Sequence, residues 1–368
     1  MNEHDTTPPP ALPSPRELLA HLIAEPGPPG QEDVIRRAVA EYLEVLKLPY
    51  RTDVKGNLLT WLGDSCPNNP EIVVMAHLDE IALLVREIDF EGQLRVSPLG
   101  GAHPWKWGEG PVEALGNEPV PGVLSFGSIH TTAPQAVAPQ VRDGRPLTWD
   151  MARIFTGLTP EALHRKGIGI GSRVVLARQR RTLWQIGGNR IASYFLDDRA
   201  DLVSWLLALQ YLKQDPSLAA ERILFVATVS EEVGGEGALF LLQEYRPPVC
   251  IALEIGPSTP DAPFPIDACP TLWVTDSFST MTPQDIRLVQ EAADETGVGL
   301  HRQAVTRGGS DASCAASRGL CARPITLAFA AENSHGFEIM HEDAPQHLAI
   351  LANRVIKKLL QAGNTGLE

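Results

Sequence analysis

Apolar strands alternate with amphipathic helices at both ends of this 368-residue sequence, but not in its middle. Near the N-terminus, the apolar spacing predicts helices over SPRELLAHLIAEPG and QEDVIRRAVAEYLEVLKL, followed by a strand over EIVVMAH. The alternation returns after residue 188 and ends in a helix over APQHLAILANRVIKKLLQAG. Strands that alternate with helices form layered sheets. We therefore expect an α/β fold with helices on both faces of its sheet.

The middle of the chain, residues 81–188, has a different composition. Glycine and proline recur every few residues, apolar runs such as GVLSF are short, and few segments favour a helix. This composition predicts a small all-β domain inserted into an α/β domain that is built from residues 14–80 and 189–368. Residues 1–13 are polar and rich in proline, which predicts a flexible tail.

Charge and cysteine content restrict the partners and the location. The formal net charge is −14, with 31 Lys and Arg against 45 Asp and Glu, which argues against nucleic acid or an anionic membrane as a partner. No apolar run approaches the length of a membrane-spanning helix, and the N-terminus lacks the regions of a secretion signal. The five cysteines are scattered without C-x-x-C spacing, so we expect reduced thiols, a cytoplasmic protein and no cysteine-based zinc site.

Acidic residues and histidines follow several of the predicted strands, where functional groups gather in open α/β sheets. These residues are His77, Asp79, Asp197, Asp198, Glu231, Glu232, Glu254 and His335. Glu231 and Glu232 are neighbours, and two ionised carboxylates repel unless water or a cation surrounds them. Nitrogen and oxygen ligands without cysteine fit a zinc, cobalt or manganese site. The pattern predicts a metal site, although each residue by itself also fits a solvated turn or a helix cap.

Six short motifs, in order, resemble the dinuclear metal aminopeptidases, the family that includes glutamyl aminopeptidase and the tetrahedral, dodecameric aminopeptidases. The motifs are AHLDE (76–80), LDDRAD (196–201), SEEVGGEGA (230–238), ALEIGP (252–257), GGSDAS (308–313) and NSHG (333–336). The resemblance extends from about residue 15 to the C-terminus. It implies a zinc-peptidase-like α/β fold that carries a PDZ-like or barrel-like insert, which in this family mediates oligomerisation and walls the active site.

The resemblance also implies two divalent metal ions per subunit, zinc or cobalt, with manganese as a further candidate. Asp197 is then the carboxylate that bridges the two ions. His77 and Glu254 complete the first site, and Glu232 and His335 complete the second. The chain departs from the family at Glu254, where aspartate is usual, and this difference affects metal identity more than it affects the site.

Further roles follow for the residues beside these ligands. Glu231 is the implied general base, which takes a proton from a metal-activated water. Asp79 shares a strand face with His77, so its carboxylate is expected to accept the free N–H of that imidazole, with the capping of a turn as the alternative. In the family, Asp198 sits behind the bridging ligand, and the peptide bond before it is often cis.

The sequence leaves some assignments open. His341 lies six residues after His335 and competes with it as the last metal ligand. Asp311 lies near the substrate pocket or belongs to a helix N-terminus. His130, in the insert, is a surface or interface residue rather than a ligand.

The expected function is a metal-dependent aminopeptidase that removes N-terminal residues from peptides and forms a homo-oligomer through its insert. A two-metal deacylase or carboxypeptidase acting on acylated amino acids is one alternative. A glucanase is disfavoured, because glycosidases need two carboxylic acids and have no need for His77 and His335. A metal-free, non-catalytic homologue is disfavoured because all five ligand positions and the base are present.

Overall fold

The computed structural model describes residues 12–215, 218 and 222–363. The α-helices of these residues are α1 (Pro15–Ala24), α2 (Asp33–Val45), α3 (Pro104–Trp107), α4 (Val137–Arg142), α5 (Pro160–Arg165), α6 (Leu196–Lys213), α7 (Glu236–Tyr245), α8 (Pro283–Thr296), α9 (Asp311–Ser317) and α10 (Ala344–Gly363). The strands are β1 (Tyr50–Thr52), β2 (Leu58–Thr60), β3 (Ile72–His77), β4 (Ala82–Ile88), β5 (Leu94–Leu99), β6 (Gly110–Leu115), β7 (Pro119–Ser125), β8 (Arg153–Phe155), β9 (Arg173–Leu176), β10 (Trp184–Ile186), β11 (Arg190–Ser193), β12 (Ile223–Thr228), β13 (Val249–Pro257), β14 (Pro270–Thr275), β15 (His301–Ala304), β16 (Arg323–Glu332) and β17 (Glu338–His341).

Within the described residues, eleven strands form one mixed sheet in the order β1-β2-β12-β3-β13-β16-β17-β11-β10, with β14 and β15 joined beside β16. The four strands at its centre, β12, β3, β13 and β16, run parallel to one another. Parallel strands point their carboxyl ends to the same edge of a sheet. The residues that end or follow these four strands are therefore brought together.

Helices cover both faces of this sheet, as predicted. Alternate residues of β3 face opposite sides, as the strand period requires. Val74 packs into a core shared with Trp205 of α6, whereas Met75 packs into a core with Leu241 of α7 and Ala312 of α9. Every residue of β3 is buried, which explains why this strand is a continuous apolar run.

Local signals set the ends of the helices. Ser14 and Glu17 form a reciprocal capping box at the start of α1. At α8, the Thr282 hydroxyl accepts the third main-chain N–H, Pro283 occupies the first turn, and Gly297 ends the helix with a φ of 72°. These helices therefore begin and end where capping residues occur in the sequence.

Strands β4–β9 close into a small barrel in the order β4-β5-β8-β7-β6-β9, here called the barrel insert. Trp107 and Trp149 pack edge to face in its core, with ring centroids 5.9 Å apart, whereas Trp105 is 64% exposed. The fold prediction, an α/β sheet with an inserted small β domain, is confirmed. The short helices α3, α4 and α5 in the same segment were not predicted, since each has only four to six residues.

The sequence also missed several short elements of the large sheet, namely β1, β10, β11, β15 and β17, each of three or four residues. The tail predicted for residues 1–13 lies, apart from its last two residues, outside the described residues. The domain boundaries remain a prediction. Among the helices that the structure describes, none has the length and apolarity needed to cross a membrane.

Candidate metal centre

The carboxyl ends of the central parallel strands carry the histidines and carboxylates that the sequence singled out. His77 is the last residue of β3 and lies opposite Thr228, the last residue of β12. Glu254 lies in β13, and His335 follows β16. Asp197 approaches the same edge from the start of α6, where its dihedral angles and those of the next residue are not helical.

Two groups of possible ligand atoms lie at this edge, each within 4.8 Å, and they share one residue. The first group is His77, Asp197, Asp198 and Glu254, and the second is Asp197, Glu232 and His335. Oδ1 of Asp197 is 3.1 Å from Nε2 of His77, and Oδ2 is 3.4 Å from Nε2 of His335. One carboxylate thus faces an imidazole with each of its oxygens. The five predicted ligands, His77, Asp197, Glu232, Glu254 and His335, are called the candidate metal centre below.

Asp198 supports this centre from behind. Its Oδ2 accepts the main-chain N–H of His77 at 2.6 Å and lies 3.9 Å from the imidazole Nε2. The peptide bond between Asp197 and Asp198 is cis. Asp198 is fully buried. Because Asp198 holds the main-chain N–H of His77, it fixes the backbone position from which the imidazole extends.

Asp79 makes a different contact from the one expected. Its carboxylate accepts the main-chain N–H groups of Glu231 at 2.9 Å and of Glu232 at 3.1 Å. The Nδ1 atom of His77 lies 3.1 Å from the main-chain oxygen of Asp79 and 3.5 Å from its carboxylate. The main-chain oxygen is therefore the nearer acceptor for the imidazole. The Asp79 side chain instead holds the turn that presents the two glutamates.

Glycines after the glutamates permit that turn. The main-chain oxygen of Glu231 accepts the N–H of Gly235, which has a φ of 69° and is the N-cap of α7. A Cβ on Gly237 would lie 2.3 Å from the main-chain oxygen of Val229, so a side chain at this position would separate the turn from its strand. Ser230 has a φ of 57°, which is uncommon for a residue other than glycine and marks a constrained position.

Glu338 of β17 is a buried residue that the sequence analysis missed. Its Oε2 accepts the main-chain N–H of Asp197 at 3.1 Å, and its Oε1 accepts that of His335 at 2.8 Å. Burial, together with the charge of Asp197, raises the pKa of Glu338 to about 8. The only sequence signal is an acidic residue three positions after His335. One carboxylate thus connects two of the predicted ligands through their main chains.

The barrel insert contacts the candidate metal centre at Gly101. The main-chain oxygen of Gly101 lies 3.3 Å from Nδ1 of His335. A Cβ on Gly101 would lie 2.2 Å from that nitrogen, and a Cβ on Gly100 would lie 3.0 Å from Glu232. His335 itself has a φ of 60°. The insert therefore forms one wall of the site, and only residues without a side chain allow this approach.

The imidazoles respond to the surrounding carboxylates. Burial opposes a positive charge on His77, but Asp198 and Asp197 outweigh it and raise the pKa well above its ordinary value. The charge of Glu232 likewise outweighs burial and raises the pKa of His335. Burial alone would raise the pKa of Asp197, yet the two imidazoles lower it. The cluster therefore favours positive charge at its centre.

The remaining carboxylates of the cluster also favour positive charge at its centre. Burial, with the charge of Asp197, raises the pKa of Glu232 to about 7 and that of Glu254 well above its ordinary value. Crowded, buried carboxylates ionise only with positive charge nearby. Imidazole nitrogen and carboxylate oxygen are ligands of zinc, cobalt and manganese, so the donor atoms of these residues could hold divalent cations.

Glu231 lies beside this group without belonging to either set of ligand atoms among the described residues. Burial raises its pKa well above the ordinary value, and the charges of Asp311, Glu232 and Asp79 add to the effect. Asp311 accepts the Thr228 hydroxyl at 2.5 Å, and burial raises its pKa to about 6. A glutamate with a raised pKa in a cleft is suited to accept and return a proton.

Of the two residues left open at the sequence level, Asp311 lies in the first turn of α9, whose N-cap is Ser310, and is buried close to Glu231. His341 lies in β17, and its Nδ1 accepts the main-chain N–H of Asp343 at 3.2 Å. Among the described residues, His341 belongs to neither ligand group of the candidate metal centre, whereas His335 belongs to the second group. His130 is exposed on the barrel insert.

A cavity of about 480 Å³ opens in front of the centre. Asp197, Glu231, Glu232, Glu254 and His335 line its floor. Other lining residues form its walls, and these include Ile255, Trp273, Phe278, Val305 and Arg307 from the α/β domain, and His103 and Lys106 from the barrel insert. The cavity therefore combines a carboxylate and imidazole floor with a largely apolar wall, which is the usual character of a small-molecule or peptide site.

Fold and site together define an α/β protein with a shared-carboxylate centre at the ends of its parallel strands and a barrel insert that walls it. The model of the M42 glutamyl aminopeptidase family matches residues 56–351. The chain belongs to this family of peptide hydrolases, which agrees with the resemblance of its motifs.

Curated relatives carry aminopeptidase names. A lysyl aminopeptidase from Pyrococcus furiosus is 27% identical over 245 residues, which cover 65% of this chain and 66% of that protein. A glutamyl aminopeptidase from Lactococcus lactis is 27% identical over 227 residues, covering 60% of this chain and 62% of that protein. The chain thus spans slightly less than two thirds of the length of these two relatives.

A solved structure is similar over nearly the whole chain. The TET1 peptidase of Pyrococcus horikoshii, described as able to assemble into a tetrahedron or a large octahedral shell, superimposes with a TM-score of 0.78 at 25% identity. The match covers 93% of this chain and 99% of that one. The α/β sheet and the barrel insert are therefore shared with a known peptidase.

Proposed function

We propose that this protein is a metal-dependent aminopeptidase that hydrolyses the N-terminal residue from peptides. The main support is the position of Asp197, whose two oxygens face the imidazoles of His77 and His335. Glu231 lies next to these ligands, but among the described residues its carboxylate belongs to neither group of possible ligand atoms. Membership of the M42 glutamyl aminopeptidase family supports the aminopeptidase part of this proposal.

The ligands divide into two sets. His77, Asp197 and Glu254 would hold one divalent cation, and Asp197, Glu232 and His335 would hold the other. Zinc or cobalt fits these donors best, with manganese as a further candidate. These residues would hold the cations where their Lewis acidity could polarise the scissile carbonyl and acidify a water.

Glu231 performs the proton transfer in this proposal. Its raised pKa allows it to accept a proton from the attacking water and to donate that proton to the leaving amine. Asp79 accepts the main-chain N–H groups of both Glu231 and Glu232. In this proposal it thereby fixes the direction of each side chain, so that the two glutamates can have different roles. The neighbouring carboxylates therefore serve two purposes, with Glu232 as a ligand and Glu231 as the base.

The barrel insert has two proposed tasks. Gly101, His103 and Lys106 form one side of the cavity and restrict entry of water and of large substrates. Val123, Ile129 and Phe155 on the outer surface of the insert segment are 51%, 70% and 48% exposed, which leaves apolar area for a subunit contact. We infer that the chain forms a homo-oligomer through this surface, and multi-angle light scattering of the purified protein tests this inference.

The activity is tested with a mixture of unstructured peptides, incubated with protein and Zn²⁺ or Co²⁺ and, in parallel, with a chelator. Mass spectrometry should show peptides shortened from the N-terminus, and the chelator should prevent the shortening. Trimming from the C-terminus, or cleavage of acylated amino acids alone, would support the carboxypeptidase or deacylase alternative. Intact peptides together with the absence of bound metal would support a non-catalytic homologue.

A further inference from the structure

A second group of metal-ligating residues lies outside the candidate metal centre. Asp267 and Cys269 stand immediately before β14, and His301 is the first residue of β15. The two strands are parallel neighbours, and Thr271 is paired with His301 across them. Strand pairing therefore brings together three residues that are separated in the sequence. None of them belongs to the proposed aminopeptidase machinery.

The three side chains converge on one point. Each offers a ligand atom, a carboxylate oxygen, a thiol sulphur and an imidazole nitrogen, and these atoms lie within 4.8 Å of one another. Nε2 of His301 is 3.0 Å from Oδ1 of Asp267, close to the 3.1 Å between His77 and Asp197. Two such donors on a tetrahedral zinc ion stand about 3.3 Å apart, given bond lengths of about 2.0 to 2.1 Å.

Neighbouring groups hold these side chains in place. The ring of Phe264 stacks on His301, with centroids 5.4 Å apart and planes at 15°. The Asp267 carboxylate accepts the main-chain N–H of Cys269 at 2.9 Å. A Cβ on Gly299 would lie 2.4 Å from the sulphur of Cys269, so the thiol occupies space that only glycine leaves free. Packing and hydrogen bonds therefore position these side chains, and no bound ion is needed for that.

Partial exposure gives an ion access. The side chain of His301 is 22% exposed and that of Asp267 is 38% exposed, which leaves room for water as a fourth ligand. Catalytic-type zinc sites have three protein ligands and an open position. A net charge of −14 on the chain favours the approach of a cation.

We propose that Asp267, Cys269 and His301 form a third divalent-metal site, with zinc as the preferred ion. Thiolate and imidazole ligands select zinc over magnesium and calcium, which prefer oxygen alone. Binding requires the thiolate, so the ion displaces the thiol proton into solvent. The site joins the start of β14 to the start of β15, and these two strands lead to Trp273 and Val305 in the wall of the cavity.

Sulphur distinguishes this site from the candidate metal centre. Cobalt bound to a thiolate gives a charge-transfer absorption in the near ultraviolet, whereas cobalt bound to nitrogen and oxygen alone does not. The metal-free protein is titrated with Co²⁺ alone, and the absorption and the bound cobalt are both measured. Zinc binds such ligands more tightly than cobalt, so added Zn²⁺ should remove the absorption.

The variants are Cys269→Ser and His301→Ala, with Cys66→Ser as the matched control at another half-buried cysteine. Wild type and the control should show the absorption. Cys269→Ser should lose it together with one equivalent of bound cobalt, and His301→Ala should weaken cobalt binding while circular dichroism shows an intact fold. If wild type gives no thiolate absorption, or if the absorption persists in Cys269→Ser, the cluster is only a His–Asp ion pair beside a thiol. The titration measures no turnover, so its result does not depend on the aminopeptidase proposal.

Discussion

Gly101 of the barrel insert lies against the imidazole of His335, with its main-chain oxygen 3.3 Å from Nδ1. A contact between the insert and a predicted metal ligand means that the two parts of the chain build the site jointly. The contact is possible because Gly101 has no side chain, since a Cβ there would lie 2.2 Å from the same nitrogen.

The first prediction concerns this contact. Gly101→Ala should displace His335 and lower metal affinity about 10- to 100-fold, which is the usual effect of disturbing the support of a ligand. Gly169→Ala is the control in the insert segment, because a Cβ there meets nothing within 4 Å. Metal affinity by competition with a chromophoric chelator checks the prediction. Equal affinities for the two variants would show that His335 tolerates the extra methyl group.

The second prediction concerns the base. Glu231→Gln should lower kcat by about 10² to 10⁴-fold, because the amide cannot accept the proton, while bound metal stays unchanged. Glu236→Gln is the control, since Glu236 belongs to the same glycine-rich segment but pairs with Lys55 at the surface. Rates with a peptide substrate and metal content by elemental analysis provide the check. Near-normal turnover by Glu231→Gln would refute the assigned role.

The third prediction concerns Glu338, which accepts main-chain N–H groups of both Asp197 and His335. Glu338→Gln keeps one acceptor oxygen and replaces the other with a donor, which opposes one of these N–H groups. We expect metal affinity to fall by about 10- to 100-fold. Glu332→Gln, at an exposed residue near the same turn, should have no effect. If Glu338→Gln leaves metal affinity unchanged, Glu338 does not position the ligands Asp197 and His335.

Sequence patterns revealed the residues that follow long, apolar strands. His77 and Glu254 belong to buried strands of six and nine residues, whose apolar runs fix where the chain reaches the edge of the sheet. Because the parallel order of such strands brings their ends together, a list of polar residues at strand ends was enough to predict the cluster. The alternation of strands and helices predicted the fold class, and the six ordered motifs carried the resemblance to the family.

Residues that act through the main chain could not be recognised in this way. Glu338 lies in a four-residue strand with no periodicity, and its partners are N–H groups, which every residue carries. The contact of Asp79 with Glu231 joins distant parts of the chain, so the sequence could not decide whether its carboxylate faced an imidazole or a turn. Gly101 was missed because close approach between the barrel insert and the sheet depends on tertiary packing.

The fourth prediction concerns the substrate. Arg307 lines the cavity, and among the residues that the structure describes its guanidinium has no hydrogen bond or ion pair. A free cation in the wall should favour an acidic N-terminal residue, so Arg307→Ala should lower kcat/KM for peptides that begin with Glu about tenfold, or about 1.4 kcal/mol. Peptides that begin with Leu should be affected little. Arg302→Ala, on β15 and bonded to Gln290, is the control. An equal loss for both peptides would exclude this role.

The last prediction concerns the pH dependence of stability in the metal-free protein. In the folded state the pKa of Glu232 is raised to about 7 and that of Glu338 to about 8, both from 4.5. As pH rises above about 4.5, the unfolded chain releases these protons while the folded chain retains them until about pH 7 to 8. The unfolded state thus gains free energy of ionisation, and folding stability falls across this interval by about 3 kcal/mol for a group such as Glu232.

Divalent metal should reverse this trend, because it binds the ionised carboxylates and so binds more tightly as pH rises. The difference in Tm between metal-loaded and chelated protein should therefore widen from pH 5 to pH 8. Differential scanning calorimetry at several pH values, with zinc or with chelator, measures it. Glu338→Gln removes one of these titrating groups and should make the decline in the chelated protein less steep. A difference in Tm that stays constant over this interval would show that the buried carboxylates do not control the stability of the centre.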